Sequence, residues 1–520
     1  MNYKHGLFTS PKNGMEDYKK RPVFLSLGNK RSRPLTLLNE NKGPSQPRGS
    51  WTLGYLRKVK VFSFLFGLLA TFLIMVSYIL TRQQKGLLFT LSPHHFRHMS
   101  QPLNLSSGDY AIVEEVLRNI VSKMEFHPRK VPDLTELRER EPHIFSEIPG
   151  QFLPNLKNPC WYEEYTQNSS VDPYGRNLYA LYSKRFKAVY NHLQRGFQKH
   201  LLHLEDRHYR LRCLPYFYII GQPKCGTTDL YDRLRLHPQI RFTTMKEPHW
   251  WTRKRFGIIR LSEGFHNPYP LKDYLDLFDQ VAYQIQDLLT NSSRENIRTD
   301  IIIGEASAST MWDNNAWVYF YDNGTTLEPP FLVQDFIHAV QPDAKFIVML
   351  RDPAERLYSD YLYFGMANKT VEDFHERVLE SLQLFDVCLS ERSLRSCVYN
   401  TTLNNAMSVR LQVGLYVVYL LDWFNIFSRK QILVLRLEDH AKNRKLTMHR
   451  VFEFLHLGPV TRQKEVDITK SPASNTRRPA NRNLGPMLPL TRQMLQTFYG
   501  PFNQRLAQVL RNPAFLWTQT

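Results

Sequence analysis

From Tyr216 to His237 the chain reads YFYII, then GQPKCGTT, then DLYDRLRLH, with Pro238 next. An apolar run of aromatic and β-branched residues stopped by a glycine predicts a buried strand, Tyr216 to Ile220. The residues after the glycine loop predict a helix, Asp229 to His237. A loop between strand and helix presents unpaired backbone N–H groups at the positive end of the helix dipole, which is what an anion cradle requires. The pattern recurs. Ile301 to Ile303 is stopped by Gly304, and Lys345 to Leu350 precedes a helix from about Ala354 to Met366. A long apolar helix, Val409 to Phe427, precedes a strand from Ile432 to Leu437. Such alternation predicts an α/β fold, a P-loop-like parallel sheet flanked by helices, with ligands at the carboxyl ends of the strands.

The loop is not a nucleoside-triphosphate loop of the usual kind. Gly221 and Gly226 have the G-x-x-x-x-G spacing, but Thr227 follows where Lys would stand, and the lysine lies inside the loop at Lys224. A kinase is therefore disfavoured. With neither a C-x-x-C nor an H-E-x-x-H pattern, a metal is not expected.

Compartment follows from a second feature. Val61 to Leu80, VFSFLFGLLATFLIMVSYIL, is a run of 20 uncharged residues, the length of a membrane-spanning helix. Residues 1–60 hold 13 Lys and Arg against Glu16, Asp17 and Glu40, so the N-terminal tail is expected in the cytosol and the rest in the lumen, as a type II protein. The sequons at Asn104, Asn168, Asn291, Asn323, Asn368 and Asn400 all follow the span. So do the cysteines. Cys388 and Cys397, close in sequence, are expected to pair, and Cys160 with Cys213; Cys225, in the glycine loop, is expected free. The formal net charge of +20 asks for an anionic partner, and a lumenal position puts nucleic acid out of reach and favours acidic glycans. The organisation read from this is a basic tail at 1–60, an anchor at 61–80, a stem at 81–108, a helical part at 109–206 and a catalytic domain at 207–520. Within the helical part, helices are expected from Tyr110 to Met124 and from about Asn177 to His203.

GQPKCGTT resembles the 5′-phosphosulfate loop of sulfotransferases that use 3′-phosphoadenylyl sulfate (PAPS). The resemblance implies that Lys224, Cys225, Gly226, Thr227 and Thr228 bind the donor, with Lys224 also stabilising the leaving oxygen. FIVMLRDPAERLYSDYLYF, Phe346 to Phe364, is similar to the same family's 3′-phosphate segment, implying that Arg351 and Ser359 hold that phosphate. Lys246-Glu247-Pro248-His249-Trp250-Trp251 looks like the K-E-x-H-aromatic stretch of glycosaminoglycan sulfotransferases. It implies Glu247 as the base toward the acceptor hydroxyl, with His249 the competing base. Heparan-type relatives carry a catalytic lysine in E-K-[ST]-P where this chain has Ala306, and Arg253 or Lys254 is the candidate substitute. In the late segment KSPASNTRRP, from Lys470, Arg477 or Arg478 is expected to close over the donor.

CWYEEY at 160–165, GEASASTMWDNNAW from Gly304 and the segments above resemble the family members that act on chondroitin and dermatan. This implies transfer to the C6 hydroxyl of 4-sulfated N-acetylgalactosamine, at the Golgi membrane. The alternatives are another glycosaminoglycan acceptor, or a lumenal glycan-binding protein without catalysis. Arg253 to Arg255 and Arg207 to Arg212 are further expected to line a polyanion groove.

Overall fold

The computed structural model describes residues 107–518 except 125–127, 169–170, 183, 244, 259–265, 291–299, 323, 325 and 366–368. The expected span at 61–80 lies outside these residues, as do the sequons at Asn104, Asn291, Asn323 and Asn368. Among the described residues no helix is long and apolar enough to cross a membrane.

The core is a five-stranded sheet ordered β5-β6-β4-β7-β8. Its strands are β4 (Phe217–Gly221), β5 (Ile240–Phe242), β6 (Ile302–Glu305), β7 (Lys345–Leu350) and β8 (Ile432–Arg436). Every neighbouring pair is parallel. All of β4 and β6, and all of β7 after Lys345, is buried, as expected of strands covered on both faces. From β4 the chain first builds one side of the sheet through β5 and β6, then crosses to β7 on the other. The switch opens a crevice at the carboxyl end of β4, between β6 and β7. β5, only three residues long, was not anticipated; it pairs Ile240–Phe242 with Ile302–Gly304.

Several of the described helices surround the sheet and the site. Among them are α1 (Ser107–Lys123), α2 (Thr227–Leu234), α3 (Pro353–Phe364), α4 (Val371–Glu391) and α5 (Pro489–Leu510). Helix α1 seats Val113, Val116 and Ile120 at full burial against α4 and α5, and Asn119 Nδ2 donates to Asp386 Oδ1 at 2.5 Å. The apolar stretch Val409 to Phe427 is not one helix. It divides into a 3-10 turn, Leu411–Gly414, and a helix, Tyr416–Phe424, with Leu415 out of helical conformation between them; Gly414 packs against Tyr499, whose Cε1 would be 2.7 Å from a Cβ there. The stretch Asn177 to His203 likewise divides, into helices Leu178–Tyr182 and Lys184–Phe197, a 3-10 turn and strand β2 (Leu202–Leu204).

A second sheet, antiparallel and ordered β1-β3-β2, joins β2 to β1 (Cys160–Glu164) and β3 (Arg207–Cys213). Cys160 and Cys213 are directly opposed on β1 and β3 and form a disulfide; Cys388 and Cys397 form the second, and Cys225 is free and buried. Arg210 and Arg212 of β3 do not line a groove, while Arg207 at its start is exposed. Arg210 and Arg212 are buried, two residues apart and so on one face of the strand. Arg212 donates to Asp276 Oδ1 at 2.8 Å, Asp279 Oδ1 at 2.7 Å and Glu163 Oε2 at 2.7 Å, and Arg210 Nε to Glu163 at 2.6 Å. Burial would raise the Glu163 carboxyl, but the two guanidinium groups outweigh it and hold it at about 2. These charges are internal partners, and removing Arg212 would leave Asp276 and Asp279 without their hydrogen-bonded guanidinium in the interior.

Candidate functional site

A cavity of about 510 Å³ opens at the carboxyl ends of the strands. Three segments expected to act together reach it: the loop after β4 (Lys224, Gly226, Thr227, Thr228), the end of β7 with α3 (Arg351, Ser359), and the late segment (Arg477, Arg478). Glu247 lines it as well; Cys225 and His249 do not.

The loop's conformation explains its residues. Lys224 and Gly226 both have positive φ, +66° and +88°. A Cβ on Gly226 would sit 2.6 Å from Leu437 Cδ1, so both the backbone region and the space favour glycine there. Gly226 is the N-cap of α2 and gives it no side-chain cap. The first-turn N–H groups of α2 have no intrahelical acceptors, and Thr227 and Thr228 bring them to the cavity wall. Cys225 turns inward instead. Its Sγ lies 3.7 Å from the Tyr416 hydroxyl, and burial pushes the thiol up to about 12.

Lys224 is partly buried in the cavity wall. Its Nζ sits 3.6 Å from the Tyr363 ring centroid. Burial first, then the charges of Arg351 and Arg478 against the opposing pull of Asp360 and Glu247, lower its pKa to about 8. Arg351 Nη2 donates to Glu355 Oε2 at 3.3 Å, and the Tyr416 hydroxyl fixes the Arg351 carbonyl at 2.8 Å. Arg477 donates to the Gly485 carbonyl at 2.8 Å and lies over Tyr358; Arg478 lies over Tyr363. Lys224, Arg351, Arg477 and Arg478 thus converge on one cavity, which suits a ligand carrying several negative charges.

Glu247 and His249 both adopt positive φ, +61° and +53°, and such backbone strain in non-glycine residues is concentrated at working sites. The Glu247 N–H is tied to the Ala306 carbonyl at 3.0 Å, and the His249 N–H to Ser307 Oγ at 3.0 Å. Glu247 pairs with Lys246, and its Oε2 lies 3.4 Å from His249 Nε2. Burial would raise the Glu247 carboxyl; the His249 hydrogen bond and the Lys246 charge outweigh it and hold it at about 2. Burial lowers His249 against the pull of Glu247, and its Nδ1 is 2.7 Å from Ser309 Oγ. Behind them Glu305, fully buried at the end of β6, is raised to about 7 by desolvation despite accepting from Ser307 Oγ at 2.5 Å. Ser307 and Ser309 of the GEASAS segment are therefore braces for the Glu247–His249 pair.

Arg253 and Lys254 do not take the place of a lysine at Ala306. Arg253 is held by Asp313 at 2.6 Å, Lys254 lies over Tyr269, and neither lines the cavity. Arg255 is buried over Phe256 and Phe336. Residues 253–255 thus form no open basic groove.

Among the cavity residues that were not anticipated are Tyr363, Asp229 and His440. Tyr363 packs on Lys224, and Asp229 and His440 meet at 2.7 Å in the wall. Tyr363 and His440 lie far in sequence from the groups they meet, and the local signal was an Asp229–Arg233 pair one helical turn apart at the start of α2.

Residues 214–475 match the family model described as a sulfotransferase domain. The chain is 55% identical over 515 residues to carbohydrate sulfotransferase 15 of Homo sapiens, covering 94% of this chain and 91% of that protein. The same figures hold for carbohydrate sulfotransferase 15 of Mus musculus. Among solved structures, a sulfotransferase from Alicyclobacillus acidocaldarius overlays with TM-score 0.35 at 21% identity, over 58% of this chain and 98% of that one. With half of its length matched by the family model and nearly all of it by such relatives, the chain belongs to the sulfotransferase family.

Proposed function

We propose that the protein transfers sulfate from PAPS to the C6 hydroxyl of 4-sulfated N-acetylgalactosamine in chondroitin or dermatan chains, giving a 4,6-disulfated unit. The observation that carries the reading is the shared cavity, where the phosphate loop, the Arg351–Ser359 pair and Glu247 meet. The acceptor rests on the 55% identity to carbohydrate sulfotransferase 15. The one-sided sequons and the apolar run at 61–80 support a lumenal catalytic part anchored in the Golgi membrane.

The donor, when bound, supplies a sulfuryl group on a phosphate leaving group. The first-turn N–H groups of α2, with Thr227 and Thr228, hold its 5′ end, while Arg351 offers a planar fork to the 3′-phosphate and Ser359 a hydroxyl. Arg477 closes the far side. Cys225 contributes through its backbone position, since its side chain faces the core. Lys224 neutralises charge growing on the bridging oxygen, a preorganised electrostatic role in a partly dehydrated site. Glu247 accepts the proton of the attacking hydroxyl. A carboxylate held at about 2 is a weak base at rest, but the hydroxyl becomes far more acidic as its oxygen bonds to sulfur, so transfer late in the step suffices. His249 stands behind Glu247 and orients it. This chemistry consists of positioning and charge stabilisation, as in phosphoryl transfer.

The test is transfer of labelled sulfate from PAPS by the full chain to a panel of chondroitin, dermatan and heparan acceptors. Labelling of chondroitin or dermatan is expected. Labelling of heparan alone would transfer the reading to another acceptor, and no labelling with PAPS bound would favour a glycan-binding protein.

A further inference from the structure

Residues 471–478, which carry Arg477 and Arg478 to the cavity, follow the helix Arg462–Lys470 without helix or strand of their own. Their first half is held from outside, by α2. Asp229 Oδ1 accepts the Ser474 N–H at 2.8 Å. Its Oδ2 accepts from Arg233 Nε at 2.7 Å and faces His440 Nε2 at 2.7 Å. Arg233 spends its remaining donors on the last turn of the helix Arg462–Lys470 and on the segment itself, Nη1 to the Ile468 carbonyl at 2.5 Å and Nη2 to the Ser471 carbonyl at 2.9 Å. Asp229, Arg233 and His440 are all buried.

An Asp–Arg pair one helical turn apart stabilises a helix only slightly when exposed. A buried one must satisfy the rest of its hydrogen-bonding capacity or lose stability. Here that capacity is met by a chain segment 235 to 245 residues away. His440 belongs to the helix Leu437–Lys442, directly after β8. One carboxylate therefore joins the helix that begins at the phosphate loop, the helix after β8 and the segment that covers the cavity. Asp229, His440 and Ser474 line that cavity themselves. Asp229 already receives four donor contacts, the fourth from Arg233 Nη2 at 3.1 Å, so its capacity is filled by protein and it acts through the loop it holds.

We propose that Asp229 and Arg233 are positioning residues for donor capture: they tether residues 468–474 to α2 so that Arg477 is presented to the nucleotide. The inference rests on the reading of Arg477 as a donor contact. Its test is a double-variant comparison by steady-state kinetics. Arg233→Lys keeps the charge but replaces the planar fork by a single ammonium, so it gives up carbonyl bonds to the loop. It is expected to raise KM for PAPS about tenfold, the effect of losing one to two hydrogen bonds, with kcat and the acceptor KM within about twofold. Arg477→Ala is expected to raise the PAPS KM as well. If the tether works through Arg477, the two effects are not additive, and Arg233→Lys adds little in the Arg477→Ala background.

Hydrogen exchange should quicken at 468–478 in Arg233→Lys and not at β4 or β7. If Arg233→Lys does not fold, Asp229→Asn, which keeps the shape, is measured with the same readouts. An unchanged PAPS KM in Arg233→Lys, full additivity, or an equal rise in acceptor KM overturns the tether while leaving the proposed reaction standing. An unchanged PAPS KM in Arg477→Ala instead overturns the donor reading of Arg477, and the proposal falls with it.

Discussion

Lys224→Ala removes the cation placed where charge builds on the leaving oxygen. The loss follows from the structure. Lys224 is half-buried on the Tyr363 ring, so water cannot fully replace it, and deleting one preorganised group of this kind costs about 10²–10³ in kcat. The pH dependence gives a second, independent signature. Lys224 has its pKa lowered to about 8, first by burial and then by Arg351 and Arg478. Its protonated, working form therefore prevails below pH 8, and kcat/KM for the donor should fall as pH rises through that value. A bound polyanion favours the ammonium, so the same limb in kcat should lie at higher pH. Lys224→Arg keeps a charge that does not titrate in this range, so it should keep part of the rate and lose the alkaline limb. The assay is initial rates of sulfate transfer across pH for wild type, Lys224→Ala and Lys224→Arg. An undiminished rate in Lys224→Ala, or an alkaline limb near pH 8 that survives in it, refutes the assignment.

Glu247→Gln should lower kcat by about 10²–10⁴ while leaving affinity for the desulfated nucleotide within a few-fold, which calorimetric titration would check. Gly226→Ala meets both a positive φ of +88° and the Leu437 side chain. It should cost about 1–2 kcal/mol from the backbone alone and weaken donor binding, seen in thermal unfolding and nucleotide titration. Removing the Cys160–Cys213 bridge, whose ends are 53 positions apart, should cost about 4 kcal/mol on chain entropy. Removing Cys388–Cys397, separated by nine, should cost about 3. Urea unfolding of the paired alanine variants tests that order.

The elements legible in the sequence were those with a local physical signature. Strand β4 and its loop announced themselves by an apolar run, two glycines and a displaced lysine, and β7 by an apolar run ending in Arg351. What was not legible depends on partners far along the chain. Arg210 and Arg212 looked like a basic surface because their carboxylates, Glu163, Asp276 and Asp279, lie 47 to 67 residues away. The small residue required at Gly414 answers to a ring from Tyr499 on another helix. Strand β5, at three residues, is too short for any periodicity to register. The resemblance carried Cys225 into the donor site with the rest of its loop. The structure separates its inward side chain from the outward first turn of α2.

The most direct test of the central claim is positional. The full chain is incubated with PAPS bearing labelled sulfate and chondroitin 4-sulfate, and the product is digested to disaccharides and resolved. The account predicts that label accumulates at C6 of galactosamine units already sulfated at C4, and that it is lost in Lys224→Ala. Label confined to another position or another polysaccharide, or equal labelling by Lys224→Ala, would contradict it.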